Sequence, residues 1–408
     1  MRLPLLCILS AGLLVASNHA AETADGKQET PKQPVAPEIG ERAKPVSPAE
    51  VDAAIERGIA FLVKRQNPSG SWGDPTRTKD LNIFAPVPGA HDAFRSGTSS
   101  LALLSLIESG AWKTNAQVRA AVDKGEDWML KYLPKVRRAD TVAIYNVWGH
   151  SYGLKALVAA HNRQGQSAER KEQIKEAIRG QIKLLQEYES VQGGWGYYDF
   201  DIGAKQPASD TASFTTATGL LALHDAKKIG IEIPERIVKR ATDSLKKQQK
   251  PDHSYLYGLY LWKNPMHPVN RPAGSLGRSQ ACNLALRRWG DKAITDDIMT
   301  EWLQKLIDRN GWLSMGRKRP VPHESWFAVA GYFYYYGHYY AALCIEELGP
   351  GGVKFKQDIA SIIVPLQETD GSWFDYPLYD YGHSYATGYA LMTLLRCRDF
   401  EKATALAP

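Results

Sequence analysis

Gln66-Asn67-Pro68-Ser69-Gly70-Ser71-Trp72-Gly73 is a helix stop followed by a turn, and the chain writes it more than once. Upstream, Val51, Ala54, Ile55, Ile59 and Leu62 recur at helical spacing. They follow Ser47-Pro48-Ala49-Glu50, a capping box with Pro at the first helical position. Gly70 and Gly73 end the helix, and a second, more apolar one begins at Gly97 (GTSSLALLSLIES). Gln186…Gly193-Gly194-Trp195 and Gln367…Gly371-Ser372-Trp373 repeat the turn, with Asn310-Gly311-Trp312 as a reduced copy. The second and fourth units lack Trp at this place, although the fourth keeps Gln248 and Gln249.

Around these turns the same grammar recurs. Amphipathic helices start near Ala54, Ala120, Glu176, Ile237, Met299 and Asp358, a period of roughly sixty residues. Apolar partners rich in small residues start near Gly97, Gly149, Asp210, Gly277, Gly337 and Gly382. A helix with one polar face suits an outer layer, and one that is apolar all round suits burial. Such hairpins bury their faces only by stacking on neighbours. The expected fold is therefore all-α: an (α/α)6 toroid of six helix hairpins over residues 47–400. No alternation of strand type bounded by hairpin turns competes with it.

Outside that domain, residues 1–20 read as a signal peptide. Arg2 precedes an apolar run from Leu3 to Ala16, too short to span a bilayer, and Ser17, Ala20 and Ala21 offer cleavage sites. Residues 21–46 are polar and Pro-rich and read as a flexible linker, and 401–408 as a tail. An exported chain is the expectation, periplasmic or extracellular, with no stable transmembrane segment after cleavage. Beyond the leader remain Cys282, Cys344 and Cys397, which make no disulfide framework and read as buried thiols. The formal charge of +6 comes without a Lys/Arg run, so nucleic acid is not an expected partner.

The Trp turns resemble the Q-W motif of squalene–hopene cyclases. On that basis the chain is identified as a divergent member of the terpenoid cyclase and protein prenyltransferase toroid family, over about residues 47–400. The resemblance implies a central aromatic cavity for an apolar or isoprenoid-like ligand. In class II cyclases the middle Asp of D-x-D-D-T-A is the acid. Pro207-Ala208-Ser209-Asp210-Thr211-Ala212 resembles that motif with Ser209 at the acid position, which leaves Asp210 as a catalytic candidate. Asp210 reads equally as a helix N-cap. In prenyltransferases an Asp, a Cys and a His hold zinc. Tyr381-Gly382-His383-Ser384-Tyr385 resembles the segment carrying the His, and Tyr336-Gly337-His338-Tyr339 resembles the one carrying the Cys. The resemblance thus implies a Zn site at His338 and His383, with Asp380 or Glu324 as the further ligand. Neither catalytic signature is complete, and activity stays open.

The residues themselves leave alternatives standing. Gly-His-x-Tyr opens three apolar helices, at His150, His338 and His383, and reads as a helix-start device as readily as a metal site. Aromatics crowd the fifth apolar helix, so Tyr335, Tyr336 and Tyr339, with Tyr385 and His150 from other units, are the expected cavity residues. Such a wall suits carbocations and sugar rings alike. Asp199 and Asp201, and in the matching loop Asp375 and Asp380, would serve glycan chemistry if two converged across a bond. Asp380 joins Asp210 as a catalytic candidate. Two further readings therefore stand beside the first: a glycan-processing or glycan-binding toroid, and a non-catalytic scaffold for a protein partner.

Overall fold

Helix α1 (Pro48–Arg65) starts as its sequence requires. The Ser47 hydroxyl accepts from the Glu50 N–H, and the Glu50 carboxylate accepts from the Ser47 N–H at 2.8 Å. The computed structural model describes residues 43–78, 88–140, 142–199, 210–323 and 328–400. The expectations for residues 1–20, for most of the linker, for 401–408, and for Asp201, Ser209 and Glu324 lie outside the described residues.

Among the described residues there are thirteen α-helices, six short 3-10 turns and, in place of strands, only isolated bridges. Outer helix α1 pairs with inner α2 (Pro88–Ser109), and α3 (Ala116–Tyr132) with α4 (Asn146–Asn162). Next come α5 (Ala168–Glu187) with α6 (Ser213–Lys228), and α7 (Glu235–Gln248) with α8 (Pro272–Arg288). The fifth pair is α9 (Asp296–Asp308) and α11 (Phe333–Glu347), with the short α10 (Asn310–Ser314) between them. Helices α12 (Lys356–Ile363) and α13 (Tyr381–Cys397) complete the set. Each inner helix packs on the next, and α13 returns to α2, so the inner ring is closed. The two layers differ as patterned: α7 buries the stripe Ile237, Ala241 and Leu245, whereas α8 is buried from Ala273 to Leu286. Closure also appears in the outer layer, where the Gln367 amide donates to Ala54 O at 2.9 Å.

The Trp turn has a strict geometry. The indole N–H of Trp72, Trp195 and Trp373 donates to the carbonyl ten residues earlier, at 2.7, 2.8 and 2.9 Å. The backbone N–H of each donates to a hydroxyl of its inner helix: Ser99, Thr216 and Thr387. All three rings are fully buried. The glycine before each Trp lets the turn press on the next outer helix. An added Cβ would lie 2.3 Å from Lys124 O at Gly70, 2.4 Å from Arg240 O at Gly193 and 2.7 Å from Arg57 O at Gly371, and all three have positive φ.

Two assignments within the repeat are corrected. The N–H to O contact that closes the turn runs Asn67→Ser71, Ser190→Gly194, Lys250→Ser254 and Glu368→Ser372. The residue matching Gln66 in the third unit is therefore Glu189, not the exposed Gln186. Glu189 accepts from Arg240 of the next outer helix at 2.7 Å, where Gln66 donates to Ala121 O at 2.8 Å. In the fourth unit Tyr255 takes the Trp place, fully buried, with its hydroxyl bonded to Gln249 and Asn283. Trp312 is no copy of the turn: it sits in α10, half-buried under the Arg309 guanidinium.

Candidate functional site

A helical residue and those two places away lie about 200° apart, on opposite faces. The three Gly-His histidines therefore decide which residues see the centre, and they face outward. His150 Nδ1–H donates to Gln181 of α5 at 2.8 Å, and its ring stacks on Tyr188. His338 Nδ1–H donates to Tyr334 O at 2.7 Å, and its Nε2 accepts from Asn310 at 2.7 Å. His383 stacks on Phe374 at 4.3 Å. Burial first holds His150 and His338 down to about 4, so both are neutral. Their partners at minus two and plus two turn inward: Trp148 and Tyr152 about His150, Tyr336 before His338, and Tyr385 after His383.

These residues wall a central cavity of about 150 Å³ at the N-terminal ends of the inner helices. Phe94 and Thr98 of α2, Phe214 of α6 and Phe333 of α11 add to it, and Tyr197, Tyr332 and Tyr376 close it from the loops. The rings meet edge-on or tilted: Phe214 to Phe333 at 4.8 Å, and Tyr332 to Tyr376 at 5.4 Å. The cavity is not plugged by its own side chains.

Hydroxyls stud this wall and are wired. Tyr145 donates to Tyr198, Tyr389 to Tyr152, and Tyr197 and Tyr257 share a bond. The Tyr336 hydroxyl donates to Phe214 O at 3.0 Å. The Tyr385 hydroxyl donates to Asp375 Oδ1 at 2.6 Å, and Oδ2 accepts the Tyr335 N–H at 3.2 Å. Tyr332 lies 3.1 Å from both His323 Nε2 and the Tyr257 hydroxyl. Burial pushes Asp375 up to about 7, against the two hydrogen bonds it accepts.

Of the five expected cavity residues, Tyr336 and Tyr385 line the cavity. Tyr335 and His150 lie behind the wall, and Tyr339 borders a second pocket at the other end of the ring. Asp210 is buried two residues before Ala212, the N-cap of α6, and does not cap that helix. Asp380 pairs with Arg65 of α1, linking the last unit to the first. Asp199 pairs with Arg138 at 3.2 Å. Among the described carboxylates, Asp380 and Asp199 are thus taken up by Arg65 and Arg138, and Asp375 bonds to the wall residue Tyr385. His338 and His383 are not brought together either: among the described residues no group of three His, Cys, Asp or Glu side chains is placed to hold a metal ion. The missed wall residues had a signal in the two-residue offset from each Gly-His, which places aromatics opposite every histidine.

No family model matches the chain, and no curated protein matches it. Among solved structures it resembles cellobiose 2-epimerase from Spirochaeta thermophila, with TM-score 0.55 and 14% identity over 87% of this chain and 97% of that one. An unsaturated glucuronyl hydrolase specific for heparin gives TM-score 0.50 and 12% identity over 87% and 97%. The α-1,6-mannanase of a Salegentibacter species gives 0.50 and 10% over 86% and 99%. At such identities the likeness carries the fold, and the chain is an (α/α)6 toroid. These neighbours are sugar-active toroids, and the assignment to terpenoid cyclases and prenyltransferases, with its isoprenoid ligand, is corrected accordingly. The physical reason is plain: the Trp turn ties a helix hairpin to its neighbour, a packing role, and it says nothing of the chemistry inside.

Proposed function

We propose that this toroid is a glycan-active protein that takes a saccharide unit into the aromatic cavity at the mouth of its inner ring. The observation that carries the reading is the wall itself. Trp148, Tyr197, Phe214 and Tyr336 present ring faces and edges for the apolar C–H faces of a sugar, with tyrosine hydroxyls between them. Small-molecule sites are typically concave and largely apolar with few polar groups, and this one fits. The sugar-active neighbours of the same fold support the same direction. Hydrolysis by a facing pair of carboxylates has no support among the described residues, so binding and proton-transfer chemistry are favoured over bond cleavage. The export expected from residues 1–20 would place the protein where glycans are met. No helix among the described residues is long and apolar enough to cross a membrane.

Trp148 supplies the test. Glucose, mannose, cellobiose, mannobiose and a heparin disaccharide are titrated while tryptophan emission is followed, with calorimetry for confirmation. At least one sugar is expected to bind, and Trp148→Ala to weaken it at least about tenfold, a stacking loss of about 1.4 kcal/mol. Failure of every sugar to bind at tens of millimolar would sink the reading.

A further inference from the structure

Two tyrosines of the cavity wall differ from the rest. Tyr145, Tyr152, Tyr197 and Tyr389 bond to other phenols, none of which titrates near neutrality. Tyr332 and Tyr385 instead have a titratable partner behind the wall, a histidine in one case and a carboxyl in the other. The direction of the first relay is fixed by elimination. Ala328 O can only accept, so His323 Nδ1 carries its proton, at 2.7 Å. Nε2 of the neutral ring then accepts from Tyr332, whose oxygen is left to accept from Tyr257. His323 and Ala328 both have positive φ, 61° and 49°, a costly backbone for residues other than glycine, and the bond between these two strained residues holds the imidazole behind Tyr332. The two tyrosines line the same cavity.

We propose that Tyr332 and Tyr385, backed by His323 and Asp375, form an acid–base pair that interconverts the anomers of a reducing saccharide held in the central cavity. This rests on the saccharide reading above. In the forward step the anomeric O–H proton passes to the Tyr332 oxygen while the Tyr332 proton passes to His323 Nε2. The freed O–H electron pair becomes the second C1=O bond. The C1–O5 bond breaks with its electrons going to O5. O5 takes the Tyr385 proton, and Tyr385 takes one from the Asp375 carboxyl. After rotation about C1–C2 the same steps run backward: O5 returns its proton along Tyr385 to Asp375, the C1–O5 bond re-forms on the other face of C1, and the carbonyl oxygen takes its proton from Tyr332. Protons and electrons balance within the sugar and four side chains, so no co-reactant enters. Tyr332 and Tyr385 are the catalytic residues, and His323 and Asp375 act through them as positioning residues.

The surroundings suit those roles. Burial lowers His323, and Arg278 and His267 lower it further, against the hydrogen bond to Ala328 O; the ring is a neutral base. Asp375, facing Arg317, Tyr335 and Tyr385, retains its acid form up to about pH 7; in that form the proton lies on Oδ1 and is donated to the Tyr385 oxygen across the same contact, so the Tyr385 O–H turns to the sugar O5. Besides His323, Tyr332 faces the phenols of Tyr257, Tyr376 and Tyr198, with the Arg278 guanidinium in the same surroundings.

The experiment follows freshly dissolved α-D-glucose, and any other reducing sugar of the panel that binds, by polarimetry and by anomer exchange in NMR. The full chain is expected to accelerate interconversion. The profile should fall on the acid side as His323 protonates, and on the alkaline side through about pH 7 as Asp375 ionises. Tyr332→Phe, His323→Gln and Asp375→Asn should each slow it by about 10²-fold. Asp375→Asn should also erase the alkaline limb. Sugar binding by tryptophan emission, and thermal melts, show that each variant is folded and loaded. A sugar that binds without faster interconversion, or an unchanged rate or pH profile in Tyr332→Phe and His323→Gln, overturns the acid–base pair and leaves the saccharide reading standing. Binding of no sugar overturns both.

Discussion

At Asp375 the proposed chemistry and the stability of the fold meet in one residue. Its carboxyl has an ordinary value of 3.8 and titrates at about 7 in the folded protein, because burial outweighs the bonds from Tyr385 and Tyr335. A raised carboxylate pKa stabilises the fold fully below the unfolded value, and the benefit is lost as pH climbs toward the folded one. Between pH 4 and 7 the loss amounts to about 4 kcal/mol as an upper figure, and above about 7.5 it is complete. Buried His150 and His338 work the other way. Their lowered values favour the fold above the ordinary histidine range, and that support is lost as pH falls toward about 4. Urea unfolding at several pH values should therefore show Asp375→Asn gaining on the parent from pH 4 to 7 and then running parallel to it. A constant difference across that range would mean that Asp375 is ionised throughout. Residue identity alone hid this group: Asp375 reads as one more loop carboxylate, and only burial behind Tyr385 sets it apart from Asp380, which meets Arg65 at the surface.

At the scale of the element, the Trp turn divides what the sequence makes legible from what it hides. The copies at Trp72, Trp195 and Trp373 were readable because each needs the same glycine, indole and helix stop. Trp373→Ala removes a fully buried ring and its bond to Ile363 O, at an expected cost of about 3–5 kcal/mol. Trp312→Ala, in the half-buried α10, should cost under about 1 kcal/mol. Equal losses in thermal or denaturant unfolding would contradict the distinction. Glu189 and Tyr255 were missed because the motif was sought by residue type, whereas the turn requires only a group that ties neighbouring outer helices and a large ring beneath it. The inner helices misled in the opposite sense. Gly-His-x-Tyr marked the right stretch of the right helices, but histidine was taken to face the centre. The buried imidazoles satisfy Gln181 of α5, Asn310 of α10 and a carbonyl of their own helix, which leaves the aromatics two places away to make the cavity.

The whole molecule has unlike ends, and that asymmetry argues which one a ligand uses. The N-terminal ends of the inner helices open on the aromatic cavity, while their C-terminal ends converge on charges. Lys155 meets Asp225 at 2.5 Å, Arg288 meets Glu347 at 2.9 Å, and Arg396 meets both Glu108 and Glu346, so that each of the six inner helices contributes to an ion pair across the floor. Positive side chains there also complement the helix C-termini. Burial works against Lys155 keeping its charge, yet the Asp225 charge wins and its pKa is raised; burial also opposes ionised Asp225, and the Lys155 charge wins again. A pair of this kind is a weak source of net stability and a strong source of damage when halved. Asp225→Asn, which strands a buried ammonium, should cost about 3–5 kcal/mol and draw the Lys155 pKa down. Lys155→Met with Asp225→Leu, which removes both charges and keeps the volume, should return most of that loss. A double-mutant cycle by denaturant unfolding measures the coupling. If the single and double variants are equally unstable, the floor is held by packing of Tyr339 and Leu343 rather than by its ions. With the floor so tied, the proposed saccharide would enter through the aromatic mouth, so Asp225→Asn should leave the affinity of a bound sugar within about twofold of the parent even as it lowers the melting point.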